Sequence, residues 1–151
     1  MSTEPVDGVI ARRDCLVLFT NYFPYHRGEE YLETELPYLV ERFERVVIVP
    51  VMLESRMPLT RALPGGVVVV PVDMPSSRPA RAWHVVINTG GVVRAGLVAD
   101  TARPWRPLRF LYDWYFTTRG LEFWKRARTE ILTAVGDSDD IVVYSYWLYV
   151  T

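Results

Sequence analysis

The residues best suited to chemistry lie together in one loop, 21–30, which reads NYFPYHRGEE. His26 has a side chain that titrates near neutral pH and so suits acid-base work. Arg27 can grip a phosphate through two parallel hydrogen bonds. Gly28 lets the backbone turn tightly or approach a ligand closely. Amides at the start of the following helix can hold an anion, but Glu29 and Glu30 already occupy that electropositive end. The two acids can instead accept hydrogen bonds from sugar hydroxyls or act as a base. An ordinary turn before an acid-rich helix start accounts for the same residues, and residue types alone favour it. No G-x-G-x-x-G follows the preceding apolar run, so this is not the dinucleotide fingerprint.

The elements that must position this loop are legible from periodicity. Residues 15–20 form a continuous apolar run, the pattern of a strand buried on both faces. Over 29–43 the apolar residues Tyr31, Leu32, Leu36, Leu39, Val40 and Phe43 recur at helical spacing. Pro37 lies inside that pattern and predicts either a kink or first turns that form a separate piece. The β-branched run 45–51 is the next strand, completing a βαβ unit with a right-handed crossover. Residues 67–72 give a third strand, with Pro71 marking its end or an edge. Helices follow at 80–100, weakened at Gly90 and Gly91, and at 108–135, with Gly120 a candidate break. A turn at 136–140 leads into a fourth strand, 141–146. The order β-α-β-β-α-α-β predicts an α/β fold, a Rossmann-like parallel sheet with flanking helices. Residues 1–14 read as a flexible lead-in and 15–151 as the folded part. Because the fourth strand lies so near the last residue, the sheet reads as the front part of a larger domain. Exposed apolar faces, and with them self-association, are expected.

Composition narrows the function classes. The chain has 151 residues, half of them hydrophobic and 23% charged, which is a globular balance. A net charge of −1 gives no overall attraction to nucleic acid. The single cysteine, Cys15, excludes an intrachain disulfide framework and fits a reducing compartment. Its place in an apolar strand makes it a small buried hydrophobe. No secretory signal pattern opens the chain. Its longest apolar region, 83–99, is interrupted by Asn88, Gly90, Gly91 and Arg94, too often for a spanning helix. A cytoplasmic protein, peripheral at most at the inner face of the membrane, is expected.

Three further groupings have bland readings. His84, beside Trp83 in an apolar helix, reads as a packing residue. Asp137, Asp139 and Asp140 lack the spacing and closing Glu of a calcium loop, so they read as a turn; no metal site is expected. The 105–128 segment, bounded by Trp105 and Arg128, interleaves basic and aromatic residues. It reads first as a core helix with a basic outer face, second as a membrane-surface contact, and last as a nucleic-acid face.

The string TNYFPYHRGEEYLETELPYLVERFERVVIVPV resembles the start of bacterial GT-B glycosyltransferases of the family-4 type, which build capsular, exopolysaccharide and lipid-linked glycans. Phe23, Pro24, Gly28, Glu29, Tyr31, Leu32, Glu33, Glu35 and Leu36 fit that family's F-P-x-x-x-G-E-x-(F/Y)-(L/I)-E-x-E-(L/I) pattern. Ser145, Tyr146 and Trp147 resemble its S-Y-W turn after the fourth strand. The middle of the chain, 53–136, resembles it only in style. The resemblance implies the N-terminal, acceptor-side part of a two-domain enzyme that transfers a hexose from a nucleotide-sugar to a glycan or lipid-linked acceptor. It implies no cofactor or metal beyond the donor itself, and inactivity without a carboxy-terminal donor-binding half, which a separate chain can supply. Tyr25, His26, Arg27, Gly28, Glu29, Ser145, Tyr146 and Trp147 are then the candidate substrate-binding residues, and no residue is assigned a catalytic role. The alternative is a non-catalytic α/β module that binds a membrane or a partner.

Overall fold

The computed structural model describes residues 13–25, 28–53, 58–74, 77–94 and 107–145. Seven elements run along the chain: β1 (Arg13–Thr20), α1 (Tyr31–Arg42), β2 (Phe43–Pro50), β3 (Val67–Val69), α2 (Arg78–Arg94), α3 (Pro107–Val135) and β4 (Ile141–Ser145). The order matches the reading from periodicity. The four strands form one sheet in the order β3-β2-β1-β4, and every pairing is parallel.

Period-2 alternation sorts the strand side chains onto two faces. Leu16, Leu18, Val46 and Ile48 point to one face and pack with Phe23 and with Leu32 and Leu36 of α1. Cys15, Val17, Val47 and Val49 point to the other, under Phe123, Ala127, Ile131 and Val135 of α3. The four α3 residues are spaced by four, so they form one stripe along that helix. Val46, Val47, Ile48 and Val49 are fully enclosed. Each such side chain contributes about 1.5–3 kcal/mol relative to exposure. β1 and β2 are therefore the fixed centre from which the loops at the carboxyl edge are hung.

Some details differ from the sequence reading. Pro37 lies within α1, which runs on through it as one helix. Gly120 is absorbed by the continuous 29-residue α3. β3 is shorter than the apolar run that suggested it; the Val70 amide still donates to the Ile48 carbonyl, and Pro71, with no amide hydrogen, follows. Gly91 lies against α3: a Cβ there would come 3.0 Å from Leu121 Cδ2, so the glycine that weakens α2 also lets the two helices approach. At the far end of α3, Gly136 takes a left-handed φ of 65° and its amide donates to the Leu132 carbonyl. Arg45 Nη1 donates to the Ala134 and Val135 carbonyls at 3.0 and 2.9 Å, so a strand residue satisfies the last carbonyls of the helix.

Candidate functional site

Strand order locates the site. The chain builds outward from β1 through β2 to β3, then returns to place β4 on the opposite side of β1. The order reverses between β1 and β4. In open parallel sheets this switch point leaves a crevice at the carboxyl ends of the strands, where ligands bind. Phe19 of β1 pairs with Ser145 of β4, so Ser145 and the loop that leaves β1 share that edge.

The loop itself is tightly held. Glu29 has a left-handed φ of 58° and is buried. This conformation is uncommon for a residue with a side chain, and it sends the carboxylate back across the loop. Oε1 accepts the Asn21 amide at 2.8 Å, and Oε2 accepts the amides of Tyr22 and Phe23, each at 3.0 Å. Three successive amide hydrogens that could have cradled an external anion are thus satisfied from within the chain. Glu29 is the loop's internal anchor, a use that residue type alone did not distinguish from hydroxyl binding or base catalysis. Gly28, at φ 103°, leads into this turn and donates its amide to Glu30 Oε1 at 2.8 Å. Thr20 Oγ1 donates to the Phe23 carbonyl at 2.9 Å, and the Phe23–Pro24 peptide is cis.

A second segment braces the loop from outside. Beyond β2, the amides of Val51 and Met52 donate to the carbonyls of Thr20 and Asn21, both at 2.9 Å. Thr60 donates both its amide and its hydroxyl to the Pro24 carbonyl. Arg61 reaches the Gly28 carbonyl at 3.2 Å, pairs with Glu33 at 2.9 Å, and stacks its guanidinium 5.3 Å from the centre of the Phe23 ring. Between this segment and α1 lies a concavity of about 490 Å³, lined by Phe23, Glu33, Leu36, Pro37, Thr60 and Arg61 among others. Asn21 Oδ1 is buried with no hydrogen-bond partner among the described residues, leaving an acceptor at the start of the loop. Burial also raises the Tyr25 phenol above its ordinary pKa, which keeps it a neutral donor.

Of the residues singled out from sequence, Tyr25, Gly28, Glu29 and Ser145 gather at the carboxyl edge of β1 and β4, while His26, Arg27, Tyr146 and Trp147 lie outside the described residues. Thr60 and Arg61 were missed. They reach the loop across more than thirty residues of chain, and nothing local in the sequence announces such a contact.

A buried polar cluster between α2 and α3 was also missed as a unit. His84, read as a packing residue, has Nδ1 3.2 Å from Glu122 Oε1, an ion-pair distance without hydrogen-bond alignment. Asn88 Nδ2 donates to Glu122 Oε2 at 2.9 Å, Arg126 Nε donates to Oε1 at 2.6 Å, and Lys125 Nζ donates to Asn88 Oδ1. Burial pushes the Glu122 carboxyl up, but the hydrogen bonds from Asn88 and Arg126 and the nearby His84 outweigh it, and its pKa falls below the ordinary value. Only the i, i+4 spacing of Glu122 and Arg126 foreshadowed this cluster.

The 105–128 segment divides. Phe123 is buried in the core, while Tyr112 and Trp124 are exposed, and Trp105 lies outside the described residues. No helix among the described residues is long and apolar enough to cross a membrane. Asp137, Asp139 and Asp140 do form the turn before β4, where the Asp14 carboxylate accepts the amides of Asp139 and Asp140.

Comparison with known protein families, with curated proteins and with solved structures found no match for this chain.

Proposed function

We propose that this chain is the acceptor-side part of a GT-B-type glycosyltransferase, transferring a sugar from a nucleotide-sugar to a glycan or lipid-linked acceptor once a donor-binding half is supplied. The observation that supports this best is the braced loop 21–30 at the switch point between β1 and β4. A sugar acceptor is neutral and rich in hydroxyls, so it is recognised by fixed polar groups and by the faces of aromatic rings. The loop and its brace offer polar groups of this kind: the Tyr25 hydroxyl and, in the adjoining concavity, Glu33, Thr60 and Arg61. Because Glu29 already fills the amide cradle, the loop favours hydroxyl-rich over anionic groups at that point. Chemistry would then rest on stabilising the leaving diphosphate from the opposite wall of the cleft.

The test is amide NMR of the isotopically labelled chain, titrated with a panel of oligosaccharides and undecaprenyl-diphosphate sugars. The reading expects shifts confined to the loop 21–30, the segment 58–61 and Ser145. Absence of shifts across the panel, or shifts elsewhere on the sheet, would overturn it.

A further inference from the structure

Helix α2 is built inside out. Its polar residues Arg81, His84 and Asn88 turn toward α3, where Asn88 is fully buried and His84 largely so. Its apolar residues turn outward: Trp83, Val86 and Ile87 are 64%, 65% and 49% exposed. Pro79, Ala82 and Gly90 are exposed on that same side. α2 packs chiefly on α3, which itself lies between α2 and the sheet, so α2 forms an outermost layer with its greasy side to solvent. An ordinary surface helix does the reverse. A contiguous exposed apolar face of this kind marks an interaction surface.

Charge selects the occupant. The sequence of α2 has three arginines, Arg78, Arg81 and Arg94, and no acid. α3 adds Arg109, Arg119, Lys125, Arg126 and Arg128 against three acids. The whole chain nevertheless has a net charge of −1, so positive charge is concentrated on this pair of helices. Crowding is evident at Arg119, whose pKa is lowered first by burial and then by the neighbouring charges of Arg81 and Arg126, against the opposing pull of Tyr115 and Glu122. A second copy docking by the same face would set one acid-free helix against another, which like-charge repulsion opposes. A surface of anionic lipid satisfies both features, taking the Trp and aliphatic side chains at the headgroup boundary while the excess positive charge of the two helices draws the protein to its phosphates. A helix of 17 residues, about 25 Å long, suits lying flat in that boundary.

We propose that the outward face of α2, centred on Trp83, Val86 and Ile87, docks this protein onto an anionic membrane surface. This goes beyond the sugar-transfer reading and holds whether or not the acceptor is lipid-linked. It also shifts the membrane contact suggested by the 105–128 sequence onto the neighbouring helix.

Co-sedimentation of the full chain with vesicles of phosphatidylcholine, with and without phosphatidylglycerol, tests it. The chain should pellet with the anionic vesicles at low salt and be released at high salt. Trp83→Ser combined with Ile87→Ser, both at exposed positions, should weaken binding about tenfold or more while leaving circular dichroism unchanged. Leu132→Ser, at an exposed apolar position near the end of α3, should bind as the parent does. Hydrogen exchange over 78–94 should slow on adding anionic vesicles. Failure to pellet at low salt, or undiminished binding by the double variant, overturns the proposal. So does a dimer in size-exclusion chromatography that the double variant abolishes without any vesicle binding, which would make a second copy the occupant.

Discussion

The carboxylate of Glu29 accepts the backbone amide of Asn21 at 2.8 Å, closing a loop of nine residues, 21–29, on itself. The same group takes the amides of Tyr22 and Phe23, so one side chain fixes the entry and the exit of the turn after β1. Glu29→Gln keeps the size but replaces one acceptor oxygen by an amide donor that faces amide hydrogens. Loss of about 1–3 kcal/mol is expected, measured as a lower denaturant midpoint with an unchanged slope. Hydrogen exchange should accelerate at residues 21–23 more than in β2. A variant as stable as the parent would mean that the carboxylate does not hold the loop.

Glu122 sets a pH dependence. Its folded pKa lies below the ordinary carboxyl value, because the hydrogen bonds from Asn88 and Arg126 and the neighbouring His84 outweigh the cost of its burial. A depressed carboxyl pKa contributes stability that is present above the unfolded value and lost as pH falls through the folded one. Thermal midpoints should therefore drop as the pH falls below the ordinary glutamate range. Glu122→Gln should cost about 1–3 kcal/mol at neutral pH and flatten that acid-side slope. Asp140, lowered by its hydrogen bond to Arg13, shifts in the same direction and should keep some slope in the variant.

Gly136 and Arg45 close the carboxyl end of α3 together. A Cβ at Gly136 would come 2.7 Å from Arg45 Nη1, and the φ of 65° is already unfavourable for a side chain. Gly136→Ala should cost about 1–2 kcal/mol from the left-handed backbone alone, with a further loss if Arg45 is pushed off the Ala134 and Val135 carbonyls. Urea titration of Gly136→Ala, Arg45→Ala and the double variant measures the coupling. Strict additivity would show that the two residues act independently.

Cys15 should be chemically silent in the native chain. It is fully buried in β1, and burial raises its pKa more than the nearby Arg45 charge and the Ser138 hydrogen bond lower it. The thiolate is the reactive form, so labelling with a disulfide reagent should occur only after unfolding, even at mildly alkaline pH. Rapid native labelling would show that the α3 face of the sheet opens.

The sequence alone determined the element order, the parallel sheet and the loop of interest. Those features rest on local pattern: four consecutive enclosed residues in β2, a four-residue stripe on α3, and a polar-aromatic loop with one Pro and one Gly. Local pattern also exposed Cys15 as a core residue. Gly120 misled because a helix held by its buried face tolerates a residue that would weaken it in isolation.

What a side chain touches across the fold was left to tertiary structure. Only the strand order β3-β2-β1-β4 puts the switch point beside the loop, and only the left-handed turn at Glu29 converts a helix-start acid into the loop's internal anchor. Thr60 and Arg61 joined the site, and Glu122 drew His84 and Asn88 inward, through contacts distant in sequence. The periodicity of α2 could not say which side faces out, since its apolar and polar stripes both read as one amphipathic helix. Packing on α3 decided it, because the buried carboxylate of Glu122 required the polar side, leaving Trp83, Val86 and Ile87 to the solvent.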